Sequence, residues 1–126
     1  MDTAHIWLGR FADESALNEY FVERLDDDDD VPINQFASDQ GVTFYDHDWV
    51  EYGYNNSGDL QALMAGHSYA SSYSQKVMEI VCDRTEFRHI HANTFIMADH
   101  TEIPTPRSCQ QSGYTFWNVG AFELTP

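Results

Sequence analysis

Histidines and carboxylates are the residues of this chain most able to do chemistry, and their spacing limits what that chemistry can be. Asp46-His47-Asp48 places three ligand-type side chains in a row, with Glu51 shortly after. On an extended segment successive side chains alternate faces, so Asp46 and Asp48 share a side that His47 does not. No second histidine stands at the helical i, i+4 position. His89-x-His91 sets two imidazoles on one face of a strand, with His100 or Cys109 as further donors, but this spacing matches no zinc pattern. The expectation is therefore no metal and no cofactor, the histidines being solvated or hydrogen-bonded. Asp26, Asp27, Asp28, Asp29 and Asp30 lack the alternating ligands, turn glycine and distal glutamate of a calcium loop, and read as a solvated loop. There is no Gly-x-Ser-x-Gly elbow, phosphate-cradling loop or nucleotide fingerprint, and Gly66-His67-Ser68 is a lone triplet. Glu51 with Asp46 or Asp48 forms the one pair suited to acid–base work of the kind glycosidases do. A small acidic hydrolase or metal-binding enzyme using these three acids and a histidine is thus the alternative to a binding role. Acids this crowded at a strand edge are, as a rule, surface.

The less ordinary feature is the mixture over residues 42–54, where Phe44, Tyr45, Trp49, Tyr52 and Tyr54 interleave with Asp46, Asp48 and Glu51. Tyrosine and tryptophan supply the large rigid contacts that dominate interface hot spots. Strand alternation predicts Asp46, Asp48 and Tyr52 on one face and Tyr45, Trp49 and Glu51 on the other, one of the two faces being core. The candidate partner-binding residues are Tyr45, Asp46, Asp48, Trp49, Glu51 and Tyr52, joined by the run Asp26, Asp27, Asp28, Asp29 and Asp30.

Charge bears on the partner. The 126 residues carry 21 acids and 6 Lys or Arg, a formal net charge of −15. Residues 1–60 hold fifteen acids against Arg10 and Arg24, whereas residues 61–126 hold six acids against four bases. Such a chain repels nucleic acid and anionic membrane, whose ligands are lysine and arginine. It attracts basic proteins, and faster at low salt. No basic segment followed by an apolar run stands at the N-terminus, and no apolar stretch approaches the roughly 18 residues of a membrane helix. The expected compartment is the cytoplasm. Two distant cysteines then imply reduced thiols, with Cys82 buried in an apolar run and Cys109 in a polar loop.

The elements that must position these residues follow from pattern. His5–Gly9 reads as a short first strand ending near Phe11. Asp13 caps a helix with Leu17, Tyr20, Phe21 and Arg24 or Leu25 inward, which the aspartate run stops by repulsion at a helix C-terminus. Residues 33–40 make a helical turn or two around Phe36, closed by Gly41. Trp49–Tyr54 is a strand and residues 55–58 a turn. Asp59 caps a short helix through Met64, and a longer one runs from Ser68 or Ser71 to Arg84 with Tyr73, Val77, Ile80 and Val81 inward. Residues 92–98 form a strand, Pro104 and Pro106 a loop, and Tyr114–Leu124 a last strand with a bulge at Gly120. Without regular βαβ alternation, the fold class is α+β: a single domain over residues 1–126, with a mostly antiparallel sheet of about four strands and helices packed on it.

The same residues carry a resemblance. His5-Ile6-Trp7-Leu8-Gly9, the helix with Tyr20-Phe21, the acidic run, Phe36-Ala37-x-Asp39-Gln40-Gly41 and Tyr45-Asp46-His47-Asp48-x-x-Glu51-Tyr52 together resemble immunity protein family 22. Gly66-His67-Ser68-Tyr69 and Ala92-Asn93-Thr94 fit as well, so the likeness spans roughly residues 5–98. The resemblance implies a bacterial antidote that binds a cognate toxin domain and has no catalytic residues. It leaves the toxin's chemistry open, and the acidity favours a basic one such as a nuclease.

Overall fold

The computed structural model describes residues 2–26, 28–87 and 90–125. Strands β1 (Thr3–Phe11), β2 (Val50–Tyr54), β3 (Thr94–Asp99), β4 (Cys109–Gln111) and β5 (Tyr114–Glu123) form one sheet in the order β2-β3-β1-β5-β4. Every neighbouring pair is antiparallel. The two central strands are apolar almost throughout because both of their faces are covered; all of β3 is buried. On one face α1 (Glu14–Tyr20) and α2 (Gln35–Gln40) pack Leu17, Tyr20 and Phe36 against Trp7, Ile96 and Phe116. On the other, α3 (Leu60–Met64) and α4 (Ala70–Asp83) pack Leu63, Met64, Tyr73 and Val77 against Ile6, Leu8, Phe95 and Phe122.

The bulge expected in the last strand is present and has a use. Ile6 pairs with Gly120 but Trp7 pairs with Asn118, so Val119 is the extra residue, and Gly120 takes φ +129°. One extra residue reverses which side chains face which layer. Phe116 accordingly joins the α1/α2 core while Phe122, an even number of residues on, joins the α3/α4 core.

Capping sets most helix boundaries. Asp13 accepts from the Ala16 amide at 2.8 Å, and Asp59 accepts from those of Gln61 and Ala62. Gly41 closes α2 at φ 77°, where the missing Cβ also leaves room for the Arg107 guanidinium.

Two local expectations need correction, and the expected sheet gains one short edge strand. The first helix stops at Tyr20 instead of reaching Leu25, which is fully exposed. The Phe21 and Val22 amides bond back only three residues, and the Arg24 amide donates to Ile33 O at 2.7 Å, turning the chain toward α2. The sheet has five strands because Cys109-Gln110-Gln111, too polar to read as a strand, pairs with β5 across the Ser112-Gly113 turn. Cys82 lies exposed on α4, with Tyr73 and Val77 forming the buried stripe; both thiols are free, and Cys109 is half-buried in β4.

Candidate functional site

Asp46 does not start a strand. Its carboxylate accepts from the Asp48 amide at 2.9 Å and caps a single 3-10 turn, His47–Trp49, before β2 begins at Val50. Local capping has won over the alternating pattern, as short acidic side chains allow. The turn is held from the far end of β3 by the Glu102 carboxylate, which accepts from the Asp46 amide at 2.6 Å. His47 projects between the half-buried Glu23 at 3.2 Å and the exposed Asp48 at 3.5 Å. Trp49 is 43% exposed and walls a cleft of about 360 Å³ with Asp2, Asp99, His100, Thr101 and Glu102.

Within β2 the side chains separate. Tyr52 lies toward the α1 side, its ring stacked 4.0 Å from that of Phe21 and 38% exposed. Glu51 turns to the α3/α4 side, where its carboxylate takes the Ser68 amide at 3.1 Å and lies 3.3 Å from His67 Nδ1. Burial alone raises the Glu51 carboxyl, but the hydrogen bonds from Ser68 and His67 outweigh it and hold the group below the usual carboxylate range. His67 rests on Phe95 with ring centroids 4.5 Å apart, and its Nε2 occupies the space a side chain at Gly53 would need. This carboxylate–imidazole pair straps the α3–α4 connection to the sheet. The next residues begin α4 through Tyr69, a non-glycine residue at φ 60° whose ring is 39% exposed.

Tyr45 is core. It is 3% exposed, packs on Phe36 and receives the Asn34 side-chain amide on its hydroxyl at 2.7 Å. Burial pushes its phenol up to about 12, against the opposing effect of the Asn34 bond. The described aspartates of the run, Asp26 and Asp28–Asp30, lie beside Arg24. That guanidinium donates to the carbonyls of Val31 (2.6 Å) and Pro32 (3.1 Å) and pairs with Asp26. Asp26 and Asp28 in turn accept from the amides of Asp28 and Asp30. Asp27 lies outside the described residues, as does His89 of the histidine pair.

The structure therefore brings Asp46, Asp48, Trp49 and Tyr52 onto one edge of the molecule and sends Tyr45 and Glu51 elsewhere. It also recruits acids that spacing does not reveal. Glu23 arrives from the segment after α1, Asp2 from just before β1, Asp99 from the last position of β3 and Glu102 from the turn that follows it. Burial raises the Asp99 carboxyl, yet the Thr101 hydroxyl and amide and His100 lower it below its ordinary value. Among the described residues no group of three or more histidines, cysteines and carboxylates is placed to hold a metal ion. No helix among the described residues is long and apolar enough to cross a membrane.

A family model described as Immunity protein 22 matches residues 4–121, reaching past Ala98 into β5. No curated protein and no solved structure matches the chain.

Proposed function

The chain belongs to the immunity protein 22 family, and we propose that it works as a stoichiometric inhibitor, binding a cognate toxin domain through the acidic and aromatic edge at β2. The observation that carries this reading is the exposure of Trp49, in the cleft with Asp99 and Glu102, and of Tyr52, stacked on Phe21 two residues before Glu23. Among the described residues these carboxylates have no lysine or arginine partner, and aromatic rings beside such acids match lysine and arginine by charge, stacking and cation–π contact. Tyr45 serves this surface from beneath, and Glu51 by bracing β2. The run Asp26–Asp30 adds long-range attraction at the rim. The partner is then a basic toxin domain, and a nuclease fits best, since carboxylates can occupy a groove built for phosphates. The protein acts in the cytoplasm of the cell that it protects.

The acid–base alternative loses its geometric support. Glu51 points into the α3/α4 layer, while Asp46 and Asp48 stand in the turn beside Glu23. The test is a pulldown with the toxin domain encoded by the neighbouring gene, followed by rescue of cells expressing that domain. Complex formation together with rescue is expected. Rescue without a complex overturns the binding reading.

A further inference from the structure

We propose that the open edge of β2 is a strand-addition site, taking an extended, lysine- and arginine-bearing segment of the toxin as a sixth strand. The inference rests on the inhibitory reading above and names how the partner is held. The argument begins with which way the backbone of β2 points. The His100 amide donates to Thr3 O at 3.0 Å, so the even-numbered residues of β3 direct their amides and carbonyls at β1 and the odd-numbered ones at β2. In the β2–β3 register Glu51 faces Met97 and Gly53 faces Phe95, and the Asn55 amide continues that ladder to Asn93 O at 2.9 Å. Glu51 and Gly53 therefore bond β3, while the amides and carbonyls of Val50, Tyr52 and Tyr54 point away from it. The Val50 amide is used by His47 O. Among the described residues the backbone groups of Tyr52 and Tyr54 have no partner.

Edges are normally guarded by shortness, lysine, proline, a bulge or a covering segment. The opposite edge, β4, is three residues long and polar. β2 is longer, reads Val-Glu-Tyr-Gly-Tyr, carries neither lysine nor proline, and keeps a regular register with β3 throughout. Its one charge, Glu51, is turned inward onto His67 and the Ser68 amide instead of defending the edge. Exposed rings flank the strand: Tyr52 on one face, Trp49 at its start, and Tyr69 on the residue after the Ser68–Glu51 contact. Such alternating side-chain contacts are what an added strand reads, while the main chain supplies affinity.

Charge selects the occupant. Glu23, Asp46, Asp48, Asp99 and Glu102 lie at the start of this edge, and the molecule carries −15. A second copy of the chain added edge to edge brings like charges together, which opposes association. A cationic strand meets them favourably.

The experiment is residue-resolved amide hydrogen exchange on the unmodified protein, alone and with the neighbouring gene's toxin domain at saturation. The amides of Tyr52 and Tyr54 are expected to exchange fast in the free protein. In the complex they slow at least tenfold, while the β2–β3 amides of Glu51 and Gly53 are protected in both states. A complex in which Tyr52 and Tyr54 stay unprotected overturns strand addition and leaves inhibition by binding intact. Absence of any complex overturns both. As a second measurement, Tyr52→Pro removes the outward amide without breaking the β3 ladder, and Tyr52→Val removes only the ring. The proline variant is expected to bind about tenfold more weakly than the valine variant. Equal affinities overturn the proposal.

Discussion

Neutralising Asp48 and neutralising Glu51 change the same formal charge yet should have opposite consequences. Asp48 is 79% exposed, and its carboxylate meets only the His47 imidazole at 3.5 Å. Asp48→Asn keeps the shape of the 3-10 turn, since the bond to Asp46 comes from the Asp48 backbone amide. Stability should therefore move by less than about 0.5 kcal/mol, as at other exposed sites. If Asp48 meets a toxin cation directly, the lower end of measured coupling for close interfacial charge pairs, about 1.5 kcal/mol, weakens binding roughly tenfold. Glu51 is only 30% exposed and accepts a backbone amide and an imidazole. Charge-assisted bonds of this kind contribute about 1.5–3 kcal/mol when buried, and partial exposure reduces that to about 1 kcal/mol here. With an unfolding entropy near 2.1 cal/mol/K per residue, that loss lowers Tm by about 4 °C, with little change in affinity. Calorimetry on each variant and titration against the toxin domain separate the two effects. An Asp48→Asn protein that binds as tightly as the parent, or a Glu51→Gln protein that loses affinity at unchanged Tm, would refute the division of roles.

Further outcomes follow from other parts of the fold. The Asp39 carboxylate accepts from Tyr20 at 2.7 Å and Tyr114 at 2.6 Å, tying α1, α2 and β5 together. Replacing either tyrosine by phenylalanine should cost about 1–1.5 kcal/mol in urea unfolding, and the double-mutant cycle should show at least about 0.5 kcal/mol of coupling through the shared acceptor. His5 has a pKa lowered by burial and by the His100 charge, partly offset by Asp99, and its Nδ1 is buried without a partner among the described residues. The unfolded chain therefore binds this proton more readily, so the His5 contribution is present above about pH 6.5 and is lost as pH falls toward the folded value. Urea midpoints from pH 7.5 to 5 should fall in the parent and fall less in His5→Gln. Changing Asp26 through Asp30 together to asparagine should slow toxin association and flatten its salt dependence while leaving dissociation unchanged, read by stopped flow and surface plasmon resonance.

Much of the scaffold was readable because single residues decide it. Asp13 and Asp59 cap helices where expected, Gly41 ends α2, and the apolar run in β3 is buried on both faces. The edge strand β4 escaped because two of its three residues are exposed glutamines, and its only signal was the Ser112-Gly113 turn pair. The 46–49 segment misled for a different reason. Its alternation looks like a strand, but an aspartate able to cap itself competes with extension, and it wins when Glu102 also takes the Asp46 amide. Tyr45 reads as surface from its acidic neighbours, yet Asn34 satisfies its hydroxyl inside the core. The acids Glu23, Asp99 and Glu102 join the site only through tertiary register. Val50 pairs with Ala98, so Trp49 comes opposite Asp99, a meeting that local spacing cannot encode.

The central claim is that this chain silences a toxin by occupying it, one molecule for one molecule. Titrating a fixed, micromolar amount of the neighbouring gene's toxin domain with the purified protein, and reading the toxin's own activity after equilibration, tests it most directly. Occupancy predicts a linear fall in activity that reaches zero at equimolar protein, with full activity returning once the two are separated. Complete and lasting inactivation by a small fraction of an equivalent would mean that the chain alters the toxin catalytically, and would contradict the account.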